Sequence, residues 1–106
     1  KSMILRKICG YDVAFVMTSK YLQSSIFAEE IMKETSADLV FLIDTCGKVS
    51  IRRSNLSISC QRIAHLLNEG GGHAFAAGGR LRSNMVNWEN CLKELEIAFS
   101  KSLESQ

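Results

Sequence analysis

The sequence predicts an α/β (α+β) domain, a small mixed β-sheet of about five strands packed with three main helices. Three observations lead there. The runs Val13–Met17 and Leu39–Ile43 are continuously apolar and of strand length, as in strands covered on both faces. Gly10, set between two apolar runs, signals a hairpin, so the sheet is not wholly parallel. Near the C-terminus, Trp88, Cys91, Leu92, Leu95, Ala98, Phe99 and Leu103 recur at helical spacing as one apolar stripe.

The elements follow in order. Met3 to Ile8 and Asp12 to Met17 are expected to form two strands joined at Gly10-Tyr11. Ser24 or Ser25 can cap a helix running to about Thr35, with Phe27, Ala28, Ile31 and Met32 facing inward. Leu39–Ile43 is a buried strand, and Gly47 allows a turn into Val49–Ser54, which alternates like a strand with two different faces. Ser57 is the expected cap of the next helix, in which Cys60, Ile63, Ala64 and Leu67 face inward and Asn68 to Gly70 end it. Gly79 to Ser83 reads as a short strand, and the last helix starts at Asn87 or Trp88.

With 106 residues, 46% hydrophobic and 23% charged, the chain has material for one core, and residues 1–106 are expected to be one domain. There is no proline, repeat or low-complexity tract to mark a linker. No apolar run approaches the length that crosses a bilayer. Charge interrupts Lys1–Lys7 too early for a signal-peptide core, so a soluble, cytoplasmic protein without membrane partners is expected. A first residue of Lys1 instead of Met suggests a fragment of something longer. Cys9, Cys46, Cys60 and Cys91 contain no Cys-x-x-Cys pair, and each sits among apolar neighbours. They are expected to be reduced core residues, not zinc ligands.

Charge is unevenly spread. Between Lys48 and Arg82 lie Lys48, Arg52, Arg53, Arg62, Arg80 and Arg82 against Glu69 alone, a net +5 in a chain whose total is +2. Such a middle suits either one anionic ligand or a solvated face. Five of the seven glycines fall within Gly70–Gly79. Three glycines in a row are costly to order, which suggests that something must approach the backbone closely. Successive N–H groups of a glycine-rich bend can converge on phosphate oxygens, above all where they lead into a helix. His73 follows at once, able to donate to the same phosphate, and Ala74, Ala76 and Ala77 are small enough for a short helix behind the loop. The spacing is neither that of a Walker A loop nor that of the dinucleotide fingerprint.

Gly70-Gly71-Gly72-His73-x-x-Ala76-Ala77-Gly78 resembles the signature of the DHH-associated C-terminal domain of DHH-family phosphoesterases. These include exonucleases, oligoribonucleases and enzymes acting on cyclic dinucleotides or nucleotide monophosphates. Val49-Ser50-Ile51-Arg52-Arg53-Ser54 is similar to the family's Ser-apolar-Arg strand. The likeness covers at least Lys48 to Leu81, and many members carry a fourth glycine where this chain has Glu69. The resemblance implies a substrate-binding domain that closes over an N-terminal metal-bearing DHH domain holding manganese. It also implies that Gly70, Gly71, Gly72, His73 and Gly78 contact substrate phosphate with Arg52 and Ser50, His73 being the catalytic candidate. The substrate expected is a short oligonucleotide or nucleotide phosphate. The alternative is a non-catalytic nucleic-acid-binding module like the related C-terminal domain of alanyl-tRNA synthetase.

Strand alternation puts Ser50, Arg52 and Ser54 on one face, and leaves Arg53 structural or at the strand edge. No Asp-His-His occurs, and Asp12, Asp38 and Asp44 are expected as turn and strand-end residues. The chain alone is therefore expected to bind no metal and to be inactive. His65 is expected at the surface and Trp88 in the core. Arg62, Arg80 and Arg82 stay open between extending the phosphate track and being solvated charges. Phe75 either stacks on a base or packs under the loop, the latter being favoured.

Overall fold

The computed structural model describes residues 3–18, 24–83 and 85–104. The elements are β1 (Met3–Ile8), β2 (Tyr11–Met17), α1 (Ser24–Thr35), β3 (Leu39–Ile43), β4 (Lys48–Arg53), α2 (Cys60–Ala64), β5 (Asn68–Gly72), β6 (Ala76–Arg80) and α3 (Trp88–Glu104). The strands form one six-stranded mixed sheet of order β1-β2-β3-β4-β6-β5. The pair β2–β3 is parallel, with α1 lying between them in sequence, and the other pairs are antiparallel. Thus the expected class holds, with six strands against the expected five or so.

Side-chain period decides which residues face which layer. Phe15, Phe41, Val49, Ile51 and Ala77 point to one face, where α2 and α3 cover them with Cys60, Ile63, Leu92, Leu95 and Phe99. Phe15 and Phe41 stack across the sheet with centroids 5.4 Å apart. On the other face Ala14, Val16, Val40 and Leu42 receive Ala28 and Ile31 of α1. Because β2 and β3 are buried on both sides, they read as unbroken apolar runs. Since Ser50 is the register partner of Leu42 and Arg52 of Val40, both share the α1 face. The helix covers β2 and β3 there, whereas the β4-β6-β5 part of that face carries glycine and polar side chains.

Several expectations are corrected. The β1–β2 turn is Cys9-Gly10, both at positive φ (53° and 85°), the geometry of a tight hairpin turn, and Tyr11 already belongs to β2. Ser24 and Ser25 are helical residues of α1, so neither is its cap. Ser59, not Ser57, caps α2, accepting from the Arg62 N–H. Ser57 instead bonds Asn55 and Tyr11. The largest correction concerns residues 65–80. α2 stops at Ala64, closed by Leu66 and Leu67 N–H bonds to the Ile63 and Ala64 carbonyls, and the glycines form β5, not a helix end. No short helix stands behind them. Ala76–Arg80 is a strand, replacing the strand expected at Gly79–Ser83, and residues 73–76 are its hairpin turn. Glycine is a poor helix former, and the sheet satisfies the backbone of this stretch instead.

The Asp residues hold turns. Asp44 accepts from the Cys46 and Lys48 N–H groups, and Asp38 accepts from the Asp12 N–H and the Asn55 amide. Among the described residues no helix is long and apolar enough to cross a membrane.

All four cysteines are free thiols, but only Cys60 and Cys91 are buried. Cys9 and Cys46 sit exposed in turns, against the expectation of four core residues. Burial pushes the Cys60 thiol from 9.0 up to about 11, although Arg53 and Arg52 oppose it. The unfolded chain therefore loses this proton first. The stability Cys60 contributes is fully present below about pH 9 and is lost as pH rises through about 11. With a thiol-alkylating reagent at neutral pH, Cys9 and Cys46 should label within minutes and Cys60 and Cys91 only on unfolding. Peptide mass spectrometry reads this, and rapid native labelling of Cys60 would contradict its placement.

Candidate functional site

The sheet register assembles the predicted residues. Ser50 pairs with Gly78, and Gly78 with Gly71, so Ser50-Gly78-Gly71 forms one row across β4, β6 and β5. Arg52 pairs with Ala76, and Ala76 exchanges backbone hydrogen bonds of 2.8 and 3.3 Å with His73. Arg52-Ala76-His73 is thus the adjoining row, on the same face by strand alternation. A third row, Lys48-Arg80-Asn68, lies on the other side of Ser50. Neighbouring strands lie about 4.8 Å apart, so a row spans about 10 Å, the scale of one nucleotide phosphate with its immediate neighbours.

Each predicted glycine has its own reason. Gly70 packs against α2 so closely that a Cβ there would run into the Ala64 carbonyl. Gly72, with φ +138°, opens the turn in a backbone conformation that side chains rarely adopt, and a Cβ would meet Ala77 at 2.5 Å. At Gly78 a Cβ would come 2.7 Å from the Val49 carbonyl oxygen. Gly71 differs: its φ is ordinary, and a Cβ would meet nothing within 4 Å. The fold makes no use of the missing side chain at Gly71, which borders an open cleft of about 410 Å³ with Lys48, Glu69, Gly78 and Arg80.

β5 carries a register irregularity between Asn68 and Gly71, one residue more than β6 opposite. Inside it, Glu69 has φ +51°, a left-handed conformation that costs a non-glycine residue about 1–2 kcal/mol. This is the position where many proteins of the resembled family carry glycine. Its carboxylate lies 3.7 Å from Arg80 Nε, an exposed pair, and Arg80 Nη1 also donates to the Cys46 carbonyl.

The cations divide. Arg52 is half-buried and anchored through Nη1, which donates to the Ile51 (2.9 Å) and Ala77 (3.3 Å) carbonyls. A guanidinium has five donors, so this anchoring leaves capacity for an anion. Arg53 turns away, donating to the Leu56 and Ile58 carbonyls, a structural role. Arg82 joins the α3 side, its N–H bound by Glu94 and its Nη1 donating to the Leu66 carbonyl. Arg62 is exposed on α2, as is His65 just beyond it. Trp88 is partly buried against the core.

His73 is exposed at the hairpin turn, its ring parallel to that of Phe75 (5.4 Å between centroids, 7° between planes). Phe75 is 62% exposed, which corrects the expectation that it packs under the loop. The loop is a short turn closed by the His73–Ala76 backbone bonds, and the ring stacks on His73 outside the core. Two features were not singled out from the sequence, the place of Lys48 in the grid and the Glu69–Arg80 pair. The signal for Lys48 was available, since it continues the period of two through Ser50 and Arg52. Among the described residues no group of three or more His, Cys, Asp or Glu side chains could hold a metal ion.

The family model of the DHHA1 domain matches residues 13–104. No curated protein matches the chain. Among solved structures, an uncharacterized protein from Helicobacter pylori G27 is similar at 18% identity and TM-score 0.64, over 92% of this chain and 28% of that one. An exopolyphosphatase-related protein from Bacteroides fragilis is similar at 23% identity and TM-score 0.63, over 84% of this chain and 28% of that one. The C-Ala domain of alanyl-tRNA synthetase from Aquifex aeolicus is similar at 18% identity and TM-score 0.59, over 92% of this chain and 99% of that one. The chain therefore spans only about 28% of the length of the first two structures.

Proposed function

Because the chain belongs to the DHHA1 domain family, we propose that it is the substrate-binding domain of a DHH-type phosphoesterase. It would grip the phosphate of short oligonucleotides or nucleotide phosphates on the Ser50-Gly78-Gly71 and Arg52-Ala76-His73 rows. The observation that carries this is Gly71, a glycine that neither its own backbone nor its neighbours require, facing an open, cation-bordered cleft. A ligand that needs the backbone bare accounts for it.

In this reading the peptide N–H groups of the glycine strand and the Arg52 guanidinium hold and orient the phosphate. His73 donates to a phosphoryl oxygen as negative charge builds there. Lys48 and Arg80 add positive potential at the cleft mouth. The manganese ions such chemistry calls for would belong to a metal-bearing DHH domain outside this chain, which alone would bind substrate without hydrolysing it.

The test is an NMR titration with a 5′-phosphorylated dinucleotide. Shifts should concentrate on the amides of Gly70–Gly72 and the ring of His73, and the unphosphorylated dinucleotide should give much weaker ones. Gly71→Val, which fills the open space, should abolish them while leaving the remaining spectrum in place. Still signals at the glycines, with a long RNA moving Lys48, Arg62 and Arg80 instead, would transfer the chain to the non-catalytic nucleic-acid-binding reading.

A further inference from the structure

We propose that the groove beside the hairpin turn, walled by Phe75, is a nucleobase site. It would make the preferred ligand a nucleotide and not a chain of bare phosphates. This rests on the phosphate-grip reading of the same face and names what is attached to the phosphate. The groove holds about 350 Å³ between α1 and the end of the sheet, with Ala28 and Met32 on one side and Arg52, Phe75 and Ala76 on the other. Arg52 thus borders both the groove and the phosphate rows, and the Phe75 ring is stacked on His73. A ligand whose phosphate lies between Arg52 and His73 has its next covalent group at this groove.

The chemistry of the walls selects that group. An aromatic ring 62% exposed, at the tip of a turn, buries little in the fold itself. The tip is nonetheless held: the Cys60 N–H donates to the Ala74 carbonyl (2.8 Å), and His73 and Ala76 close the turn. A large apolar surface kept rigid and open suits a flat π-system, because a base placed on it loses no protein order. The groove also includes Glu29, whose carboxylate repels a second phosphate but not a neutral base. Of the two arginines that line the groove, Arg52 is shared with the phosphate rows and Arg53 is engaged through Nη1 by the Leu56 and Ile58 carbonyls. What the remaining walls add beyond the phosphate grip is apolar surface and one carboxylate, which favour a base over a further phosphate.

The experiment compares adenosine 5′-monophosphate with ribose 5-phosphate, the same phosphate and sugar without the base. Their affinities are read by NMR on this chain, on Phe75→Ala and on Phe75→Tyr. Wild type should bind the nucleotide about 10-fold or more tighter than ribose 5-phosphate. Phe75→Ala should erase that difference while leaving ribose 5-phosphate binding as it was, and Phe75→Tyr should keep it. Equal affinities in wild type, or an equal loss of both ligands in Phe75→Ala, would overturn the base site. If ribose 5-phosphate still shifts Gly70–Gly72 in that case, the phosphate grip survives. If neither ligand moves those amides in wild type, the grip fails and takes the base site with it.

Discussion

Under the proposed phosphoesterase reading, His73→Ala, made in a protein that joins this chain to a metal-bearing DHH domain, should lower turnover by about 10²–10³-fold, the usual loss when one donor to a developing oxyanion is removed. The imidazole is exposed at the turn, and the turn is closed by backbone bonds between His73 and Ala76 that the substitution leaves intact. Melting temperature should therefore move little, the lost stack on Phe75 being the only cost among the described contacts. The effect should fall mainly on kcat, since in the proposed grip Arg52 and the glycine amides would still bind the ground state. A loss confined to KM would make His73 a binding residue only. A near-normal rate would remove it from the mechanism.

Gly70→Ala and Gly71→Ala, adjacent and chemically identical changes, should give opposite results in thermal unfolding. At residue 70 the new methyl is driven into the Ala64 carbonyl, a backbone atom at the end of α2 that cannot swing aside. Destabilisation of roughly 2–4 kcal/mol is expected, a fall of about 10–20 °C in melting temperature for a domain of this size. At residue 71 the methyl meets open space at an ordinary φ, and removing a glycine restricts the unfolded chain. Its stability should stay within about 1 kcal/mol of wild type and tend upward. Equal losses at both positions would mean that the glycine strand is not docked on α2 as described.

Much of this was legible from the residues. The buried strands announced themselves because β2 and β3 are covered on both faces, and the α3 stripe because a long helix on one layer must bury one side. Motif and alternation name the residues of the Ser50-Gly78-Gly71 and Arg52-Ala76-His73 rows, apart from the place of Lys48 beside them. What alternation could not supply was the form of the glycine segment. Glycine and alanine carry no periodic signal, so a hairpin whose two strands are nearly bare looks like a loop until its partners are known. For the same reason the sequence suggests a short helix where a turn stands, and a packed Phe75 where the ring is 62% exposed. The exposure of Cys9 and Cys46 is not legible in the sequence because apolar neighbours say little about a residue in a turn between strands.

β5 is the last strand of the sheet, and an open strand end is where sheet proteins add strands from other molecules and polymerise. Most proteins guard such an end with a covering helix or a row of charges. Here the sequence Asn-Glu-Gly-Gly-Gly offers a visiting strand no apolar side chain to interlock with, and Glu69 bends the rail and charges it. The bareness that would let a ligand come close in the proposed grip therefore also leaves a visiting strand little to hold along this edge.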